Sequence, residues 1–253
     1  GSVMFVSDSG GANNVFLFQA LSPATPGQPW LSYQGSNANL GFATGGGQAT
    51  STYAATLIAG GLWSHPTQAP NGTWIIATND AAPRQVTALD ANLQVVWTRA
   101  LSDWSDGGAA IAPDGTIYVG SNGGDVRSFA ADGTPGWNVT VGGAVNSRLK
   151  LHGGTLYGSA GNNTIFALNA ADGSLKWSVA GGDDTWNNAP AVSGDGSVVY
   201  YRSKASGRLT AFNAADGSTL WDRRVGTNWD GLTPMIGPDG TIYVSFDDSY
   251  IRA

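Results

Sequence analysis

The chain has 253 residues, enough for one large all-β domain, so its length does not require a second domain. A formal net charge of −6 argues against nucleic-acid binding, and no apolar run approaches the ~20 residues that span a bilayer. The absence of cysteine excludes disulfides, thiolate metal sites and cysteine nucleophiles.

The first residues predict three strands that match a unit repeated later in the chain. They are Val3–Asp8, Val15–Ala20 and Pro29–Gln34, in the places of its second, third and fourth strands. Residues 35–62 then break the period, which indicates an insertion between the first and second units. A tolerated surface loop explains it better than a binding lid, because loops absorb insertions. Within it, Tyr53–Ile58 either adds a strand or lies against the side of the domain.

The clearest copy of the unit runs from Gly154 to Trp177. It predicts strands at Thr155–Ser159, Thr164–Asn169 and Ser174–Val179, and a further strand follows at Asn188–Ser193. Asp172-Gly173 predicts a tight hairpin turn, since glycine supplies the positive φ that such a turn needs.

Two markers give the period of the repeat. Trp97, Trp137, Trp177 and Trp221 are 40, 40 and 44 residues apart, and a set of turn glycines (72, 115, 154, 196 and 240) recurs at 43, 39, 42 and 44. A period of about 40 residues with four short strands is typical of a β-propeller blade. We therefore predict one all-β propeller domain over residues 1–253, with about six four-stranded blades. After the first, the blades are expected at Trp63–Leu101, Asp106–Val141, Val145–Val179, Asn187–Val225 and from Gly231 onward.

The two terminal blades are incomplete, because the first lacks its inner strand and the sixth lacks its outer one. Either six blades close with an imperfect seam, or the chain is a fragment of a longer propeller. Ring closure removes exposed strand edges. We therefore expect Val3–Asp8 and Val15–Ala20 to pack beside Thr241–Arg252.

The segment Ala167–Trp177, Ala-Leu-Asn-Ala-Ala-Asp-Gly-Ser-Leu-Lys-Trp, resembles the pyrroloquinoline-quinone (PQQ) repeat, and Ala211–Trp221 is equally close. The resemblance covers most of residues 63–253, with a weaker echo in 3–34. It implies a docking role between blades for the outer-strand tryptophans Trp30, Trp97, Trp137, Trp177 and Trp221.

Many proteins of this family are scaffolds, similar to the propeller lipoprotein of the outer-membrane assembly machine, and its quinoprotein dehydrogenases are enzymes. The resemblance implies that those enzymes hold the quinone near a vicinal cysteine pair, with Ca²⁺ bound by Glu, Asn and Asp. This chain contains neither Cys nor Glu. We therefore expect no cofactor.

The remaining polar residues give weak signals for catalysis or metal binding. His65 and His152 are the only histidines, and no orienting carboxylate accompanies them. Most aspartates occupy turns, where they bond their own backbone. Asp183-Asp184 and Asp247-Asp248 are the weak candidates for Ca²⁺, and they lack EF-hand spacing.

A second set of tryptophans precedes the blade glycines by 9 to 11 residues, where each outer strand leads to the next inner strand. Such connections gather on one face of a propeller. The predicted ligand rim comprises Trp63, His65, Trp104, Asp106, Trp186, Asn188, Trp229 and Asp230. Flat rings bury area at low entropic cost and polar groups fix orientation. The alternative is a second structural layer over the blades.

The sequence thus predicts a non-enzymatic binding or scaffold propeller for protein or carbohydrate ligands. The alternative is a carbohydrate-active or quinone-dependent enzyme whose catalytic residues lie outside this stretch. Low charge, at 12% of residues, and abundant Asn, Ser and Thr favour an exported protein, periplasmic or extracellular. Gly1-Ser2 resembles a cloning remnant, so we expect that the natural start, with any signal peptide, is not part of this sequence.

Overall fold

The computed structural model describes residues 3–7, 14–19, 53–57, 64, 66–78, 83–181, 189–203, 206–226, 233–245 and 251–253. These residues form β-strands arranged in six antiparallel sheets, with no helix in the described part of the chain. The predicted all-β class is therefore confirmed. Among the described residues, no helix is long and apolar enough to cross a membrane.

The first sheet has three strands, β1 (Val3–Ser7), β2 (Asn14–Gln19) and β3 (Tyr53–Leu57), in the order β1-β2-β3. The third strand comes from residues 35–62, which the sequence assigned to an insertion. β3 pairs with β2 along its whole length, from Asn14 opposite Leu57 to Phe18 opposite Tyr53. β3 thus takes the place beside β2 that we predicted for Pro29–Gln34, a segment that includes Trp30 and lies outside the described residues.

Four complete four-stranded blades follow, called here the second to fifth blades. Their strands are β4 (Thr67–Gln68), β5 (Trp74–Ala77), β6 (Gln85–Leu89), β7 (Val95–Ala100), β8 (Ala109–Ile111), β9 (Ile117–Gly120), β10 (Asp125–Phe129), β11 (Pro135–Thr140), β12 (Lys150–His152), β13 (Thr155–Ala160), β14 (Thr164–Asn169), β15 (Leu175–Ala180), β16 (Ala191–Val192), β17 (Val198–Arg202), β18 (Arg208–Asn213) and β19 (Thr219–Arg224). In each blade the spatial order follows the chain.

The sixth sheet has three described strands, β20 (Met235–Ile236), β21 (Ile242–Ser245) and β22 (Ile251–Arg252). The first strands of consecutive blades contact one another, β4 with β8, β8 with β12, β12 with β16 and β16 with β20. The first strand of each blade is therefore the inner one and the fourth is the outer one. The meeting of the first and sixth sheets stays a prediction.

The strand predicted at Asn188–Ser193 follows the Trp177 strand in the chain but falls within the bounds expected for the fifth blade. In the structure this region supplies β16, which pairs with β17 as the inner strand of the fifth blade. The fourth blade begins with β12, which lies within its expected bounds and pairs with β13.

Tryptophans of the outer strands join consecutive blades. The indole Nε1 donates a hydrogen bond to a turn carbonyl of the next blade, from Trp97 to Ala131 (3.1 Å), from Trp137 to Ala170 (3.0 Å) and from Trp177 to Ala214 (2.9 Å). The ring also covers a turn glycine. Gly173 has φ +73°, and a Cβ there would lie 2.6 Å from Cε3 of Trp137. Only glycine satisfies both the left-handed turn and the close approach of the ring.

The hydrophobic core lies between blades as well as within them. One cluster joins Ile75, Val86 and Trp97 of the second blade to Ile117 and Phe129 of the third. Because each described seam (the contact between two neighbouring blades) from the second to the sixth blade shares such a cluster, these blades hold one another in position. The connections above each seam are consequently built on a rigid base.

Candidate functional site

The structure describes two of the eight residues predicted for the ligand rim, Trp104 and Asp106. The other six, Trp63, His65, Trp186, Asn188, Trp229 and Asp230, lie outside the described residues. Trp104 and Asp106 belong to residues 101–108, the connection from the outer strand β7 to the inner strand β8 of the next blade. The structure therefore shows the geometry of the predicted rim at this connection.

This connection is hydrogen-bonded to both blades that it joins. The backbone N–H of Ser105 donates to the carbonyl of Thr78 in the second blade (2.9 Å), and the N–H of Asn122 in the third blade donates to the carbonyl of Trp104 (2.8 Å). Ser105 is fully buried. These bonds fix the backbone on either side of the Trp104 side chain.

The indole of Trp104 is partly exposed and packs against a guanidinium. Cζ of Arg84 lies 5.3 Å from the centroid of the ring. Arg84 also forms an ion pair with Asp103, with 3.1 Å between Nη1 and Oδ1. A cation over the face of an indole is an attractive arrangement. Trp104, Arg84 and Asp103 therefore form a surface cluster, called here the Trp104 cluster.

Asp106 lies beside the same cluster and accepts a hydrogen bond from Nδ2 of Asn122 (3.2 Å). The next residue, Gly107, approaches the connection between the third and fourth blades closely. A Cβ at Gly107 would lie 2.2 Å from the carbonyl oxygen of Ser147. Neighbouring connections therefore touch and form one continuous face.

The connection from the third to the fourth blade repeats the backbone bonds but not the aromatic ring. The N–H of Gly161 donates to the carbonyl of Ala144 (2.8 Å), as Asn122 does to Trp104, and Val145 donates to Ser121 (2.8 Å). Ala144 thus takes the place of Trp104. The connection between the third and fourth blades therefore has no aromatic ring at the rim position.

Sequence reasoning missed Arg84, Asp103 and Asn122, which complete the surroundings of Trp104 and Asp106. Asp103 is adjacent to Trp104 in the sequence, so its charge beside a rim tryptophan was a usable signal. Arg84 carries no repeat marker, because its counterparts in the third, fourth and fifth blades are Gly124, Asn163 and Gly207. Its stacking on Trp104 depends on the fold.

A buried polar network lies below the connection. Asp125, which is 6% exposed, accepts hydrogen bonds from the hydroxyls of Ser102 and Ser121 and pairs with Nε of Arg127 (2.5 Å). Burial by itself raises the pKa of Asp125, but these hydrogen bonds and the Arg127 charge outweigh it and hold the pKa below its ordinary value. The carboxylate therefore stays ionised and ties the second blade to the third.

The turn aspartates bond their own backbone. Asp114, for example, accepts a hydrogen bond from the N–H of Thr116 (2.9 Å), and Asp239 accepts one from Thr241 (3.0 Å). His152 at the end of β12 lies against Gly196 in the turn between β16 and β17 of the fifth blade. No group of three or more acidic or histidine side chains with metal-binding geometry occurs among the described residues. Asp183-Asp184 and Asp247-Asp248 lie outside them.

Solved structures with the same fold include BamB and two enzymes. BamB from Moraxella catarrhalis has a TM-score of 0.61 and 20% identity, over 73% of this chain and 58% of that one. A quinohemoprotein alcohol dehydrogenase from Pseudomonas putida has a TM-score of 0.57 and 16% identity, over 72% and 38%. Hydrazine synthase from Kuenenia stuttgartiensis has a TM-score of 0.60 and 19% identity, over 72% and 55%. Such identities show the fold alone, and this chain spans little more than half of the BamB chain.

The likeness to a quinohemoprotein raises the question of a bound quinone. The cysteine pair and the glutamate that the resemblance implies for such a site have no counterpart, because the chain contains neither Cys nor Glu. The residues present therefore do not fit that group.

No curated protein sequence matches the chain. A family model does, described as outer membrane protein assembly factor BamB, and it covers residues 82–244. This range includes the described second-blade hairpin, the third to fifth blades and most of the sixth. Because it exceeds half of the chain, the chain belongs to the BamB family of PQQ-repeat β-propellers.

Proposed function

We propose that this chain is a non-enzymatic binding domain of an exported protein and that it captures a protein partner on the face formed by its blade connections. The Trp104 cluster is the contact that we assign to this binding. Membership in a family described as an assembly factor supports a scaffold role, and the BamB name supports a location at the outer membrane or in the periplasm.

The observation that carries the proposal is the partly exposed indole of Trp104 with Arg84 stacked on it at 5.3 Å. Trp and Arg are the residue types that most often dominate binding energy at protein interfaces. The cluster is also preorganised, because backbone hydrogen bonds hold Trp104 and an ion pair holds Arg84. Less conformational entropy is then lost on binding.

A protein partner fits this geometry better than a sugar. A sugar stacks on an open face of an aromatic ring, whereas Arg84 already covers one face of Trp104. The charged pair of Arg84 and Asp103 instead offers a donor and an acceptor to a polar backbone or side chain.

Site-specific photocrosslinking tests the proposal. Trp104 is replaced by p-benzoylphenylalanine in cells that produce and export the natural protein, and the cells are irradiated. We expect one or a few protein adducts from position 104. The matched control places the same residue at Val96, which is 58% exposed on the outer strand β7, and should give none of these adducts.

Three results would contradict the proposal. Equal adducts from positions 104 and 96 would show that the face has no selective role. Specific binding on a glycan array that Trp104→Ala abolishes would identify a sugar-binding domain. Saturable uptake of PQQ with Ca²⁺, followed by absorbance, would favour the quinone-dependent alternative.

A further inference from the structure

The outer wall of the seam between the second and third blades contains a cleft lined by two arginines. The cleft has a volume of about 130 Å³. Arg99 and Ala100 of β7 line one side, and Arg127, Phe129 and Trp137 line the other. It is separate from the Trp104 cluster, whose residues do not line it.

Comparison with the next seam shows why this cleft exists. The residue two positions after the docking tryptophan is Arg99 in the second blade and Val139 in the third. Val139 packs on the turn glycine of the next blade, within 3.0 Å of a Cβ built at Gly173. Arg99 instead donates a hydrogen bond from Nε to the carbonyl of Gly133 (2.7 Å). The guanidinium of Arg99 therefore occupies the place that the apolar side chain of Val139 takes in the next seam.

Arg127 is likewise a charged residue at a place where the next blade has an apolar one. Arg127 lies opposite Val119 on β9, and its counterpart Phe166 lies opposite Gly158 on β13. Phe166 is 1% exposed and packs in a cluster with Val139. The seam between the third and fourth blades is thus closed by Phe and Val. The seam between the second and third has two guanidiniums at these places.

Both guanidiniums retain hydrogen-bond donors. Arg99 uses Nε and one Nη1 hydrogen, the latter toward the carbonyl of Thr98 (2.8 Å). Arg127 uses Nε toward Asp125, and its Nη1 lies 3.4 Å from the carbonyl of Ala100. A guanidinium has five N–H donors. Each arginine can therefore still donate to a ligand in the cleft.

The local charge favours a monoanion. Two guanidiniums line the cleft, and the buried carboxylate of Asp125 balances one of them. Asp132 is exposed on the adjacent turn, and its charge interacts with that of Arg99. Because this carboxylate lowers the net positive charge at the cleft, the cleft suits a ligand with one negative charge rather than two. The remaining walls are the apolar surfaces of Phe129, Pro135 and Trp137.

We propose that this cleft binds a carboxylate carried on a short apolar stem. Arginine pairs with a planar carboxylate through parallel N–H···O bonds, and the apolar walls accept the stem. The volume suits one such group, because a cavity of about 150 Å³ holds a benzene molecule. The carboxylate comes either from a free organic acid or from a glutamate side chain of a peptide.

The test is NMR titration of the ¹⁵N-labelled protein, with the Nε–H signals of Arg99 and Arg127 as reporters. The Nε–H signal of each arginine must be assigned separately, because Arg223 and Arg252 take the positions of Arg99 and Arg127 between the fifth and sixth blades. The small probes are 4-fluorophenylacetate and its neutral isostere 4-fluorophenylacetamide. The peptide probes are acetyl-Gly-Glu-Gly-amide and acetyl-Gly-Gln-Gly-amide.

We expect saturable shifts of both arginine signals with a carboxylate probe and none with its amide. The responding probe identifies the source of the carboxylate. Arg99→Val copies Val139 and leaves the Arg127–Asp125 pair intact, so it should fold and weaken binding by about tenfold or more. The double variant Arg99→Val with Arg127→Phe should abolish binding.

Arg224→Val is the matched control, since Arg224 is exposed on an outer strand away from this cleft. It should bind the carboxylate probes as the unmodified protein does. Equal shifts from the acids and the amides would overturn the proposal. An Arg99→Val variant that has a native circular-dichroism spectrum and binds the carboxylate probes with unchanged affinity would also overturn it. This single variant decides the test if the double variant fails to fold.

Discussion

Replacing Trp177 by phenylalanine should weaken one seam by a measurable amount. Trp177 is 6% exposed, and its Nε1 donates a hydrogen bond of 2.9 Å to the carbonyl of Ala214. Phenylalanine keeps an aromatic ring but removes the donor and part of the surface that covers Gly217. The carbonyl of Ala214 then loses its partner in a buried setting.

The structure gives the size of the effect. An unsatisfied buried carbonyl costs about 1–3 kcal/mol, and full truncation of a buried tryptophan costs about 3–5 kcal/mol. The free energy of unfolding should therefore fall by about 2–3 kcal/mol. At about 2–4 °C per kcal/mol for a chain of this size, the melting temperature should fall by about 4–12 °C.

Urea unfolding followed by far-ultraviolet circular dichroism measures the change in midpoint. The control is Trp221→Phe. Trp221 is only partly buried, and among the described residues no carbonyl accepts its indole N–H. The control should cost less than about 1 kcal/mol, because no seam hydrogen bond is lost. If the two variants unfold at the same urea concentration, the indole–carbonyl bond does not stabilise the seam and the reasoning is wrong.

Three further predictions concern the turns and the rim. Gly217→Ala should destabilise the protein by at least about 1 kcal/mol more than Gly240→Ala in urea unfolding, because both have positive φ but only Gly217 lies under a tryptophan ring. Hydrogen bonds from the Ser193 hydroxyl, then from the N–H and hydroxyl of Ser197, lower the pKa of Asp195 to about 2. The stabilisation by the ionised Asp195 carboxylate should be fully present above pH 3.8 and be lost as the pH falls through about 2. A ¹³C titration of the Asp195 carboxyl should show this midpoint, and Ser193→Ala should raise it. Trp104→Ala should abolish co-purification of the partner that crosslinks from position 104 while lowering the melting temperature by less than about 4 °C, and a global loss of structure would instead make Trp104 structural.

Much of the fold could be predicted because each blade needs two markers at fixed places. A tryptophan must reach the next turn, and that turn needs a glycine such as Gly173 that accepts both positive φ and the ring. The first sheet had one such marker, Trp30, and the sequence therefore assigned Pro29–Gln34 to its outer strand. β3 has neither marker, so only the fold reveals that Tyr53–Leu57 pairs with β2.

The candidate sites were predictable to different degrees. The location of Trp104 followed from its spacing to the blade glycine, but the stacking of Arg84 depends on how the segment before β6 folds. The arginine cleft left a signal in the repeat that was not used. Arg99 and Arg127 stand where the seam between the third and fourth blades carries Val139 and Phe166, and two charges at these places mark a seam that is built differently from that one.

The direction of the tryptophan contacts bears on how the chain folds during synthesis. Each indole acceptor lies later in the chain, by 34 residues for Trp97, 33 for Trp137 and 37 for Trp177. A blade that has just left the ribosome therefore exposes its tryptophan until the turn of the following blade emerges. Since these contacts are all between neighbours in sequence, no distant segment has to arrive first. Translation can complete the seams one at a time, always one blade behind the growing end.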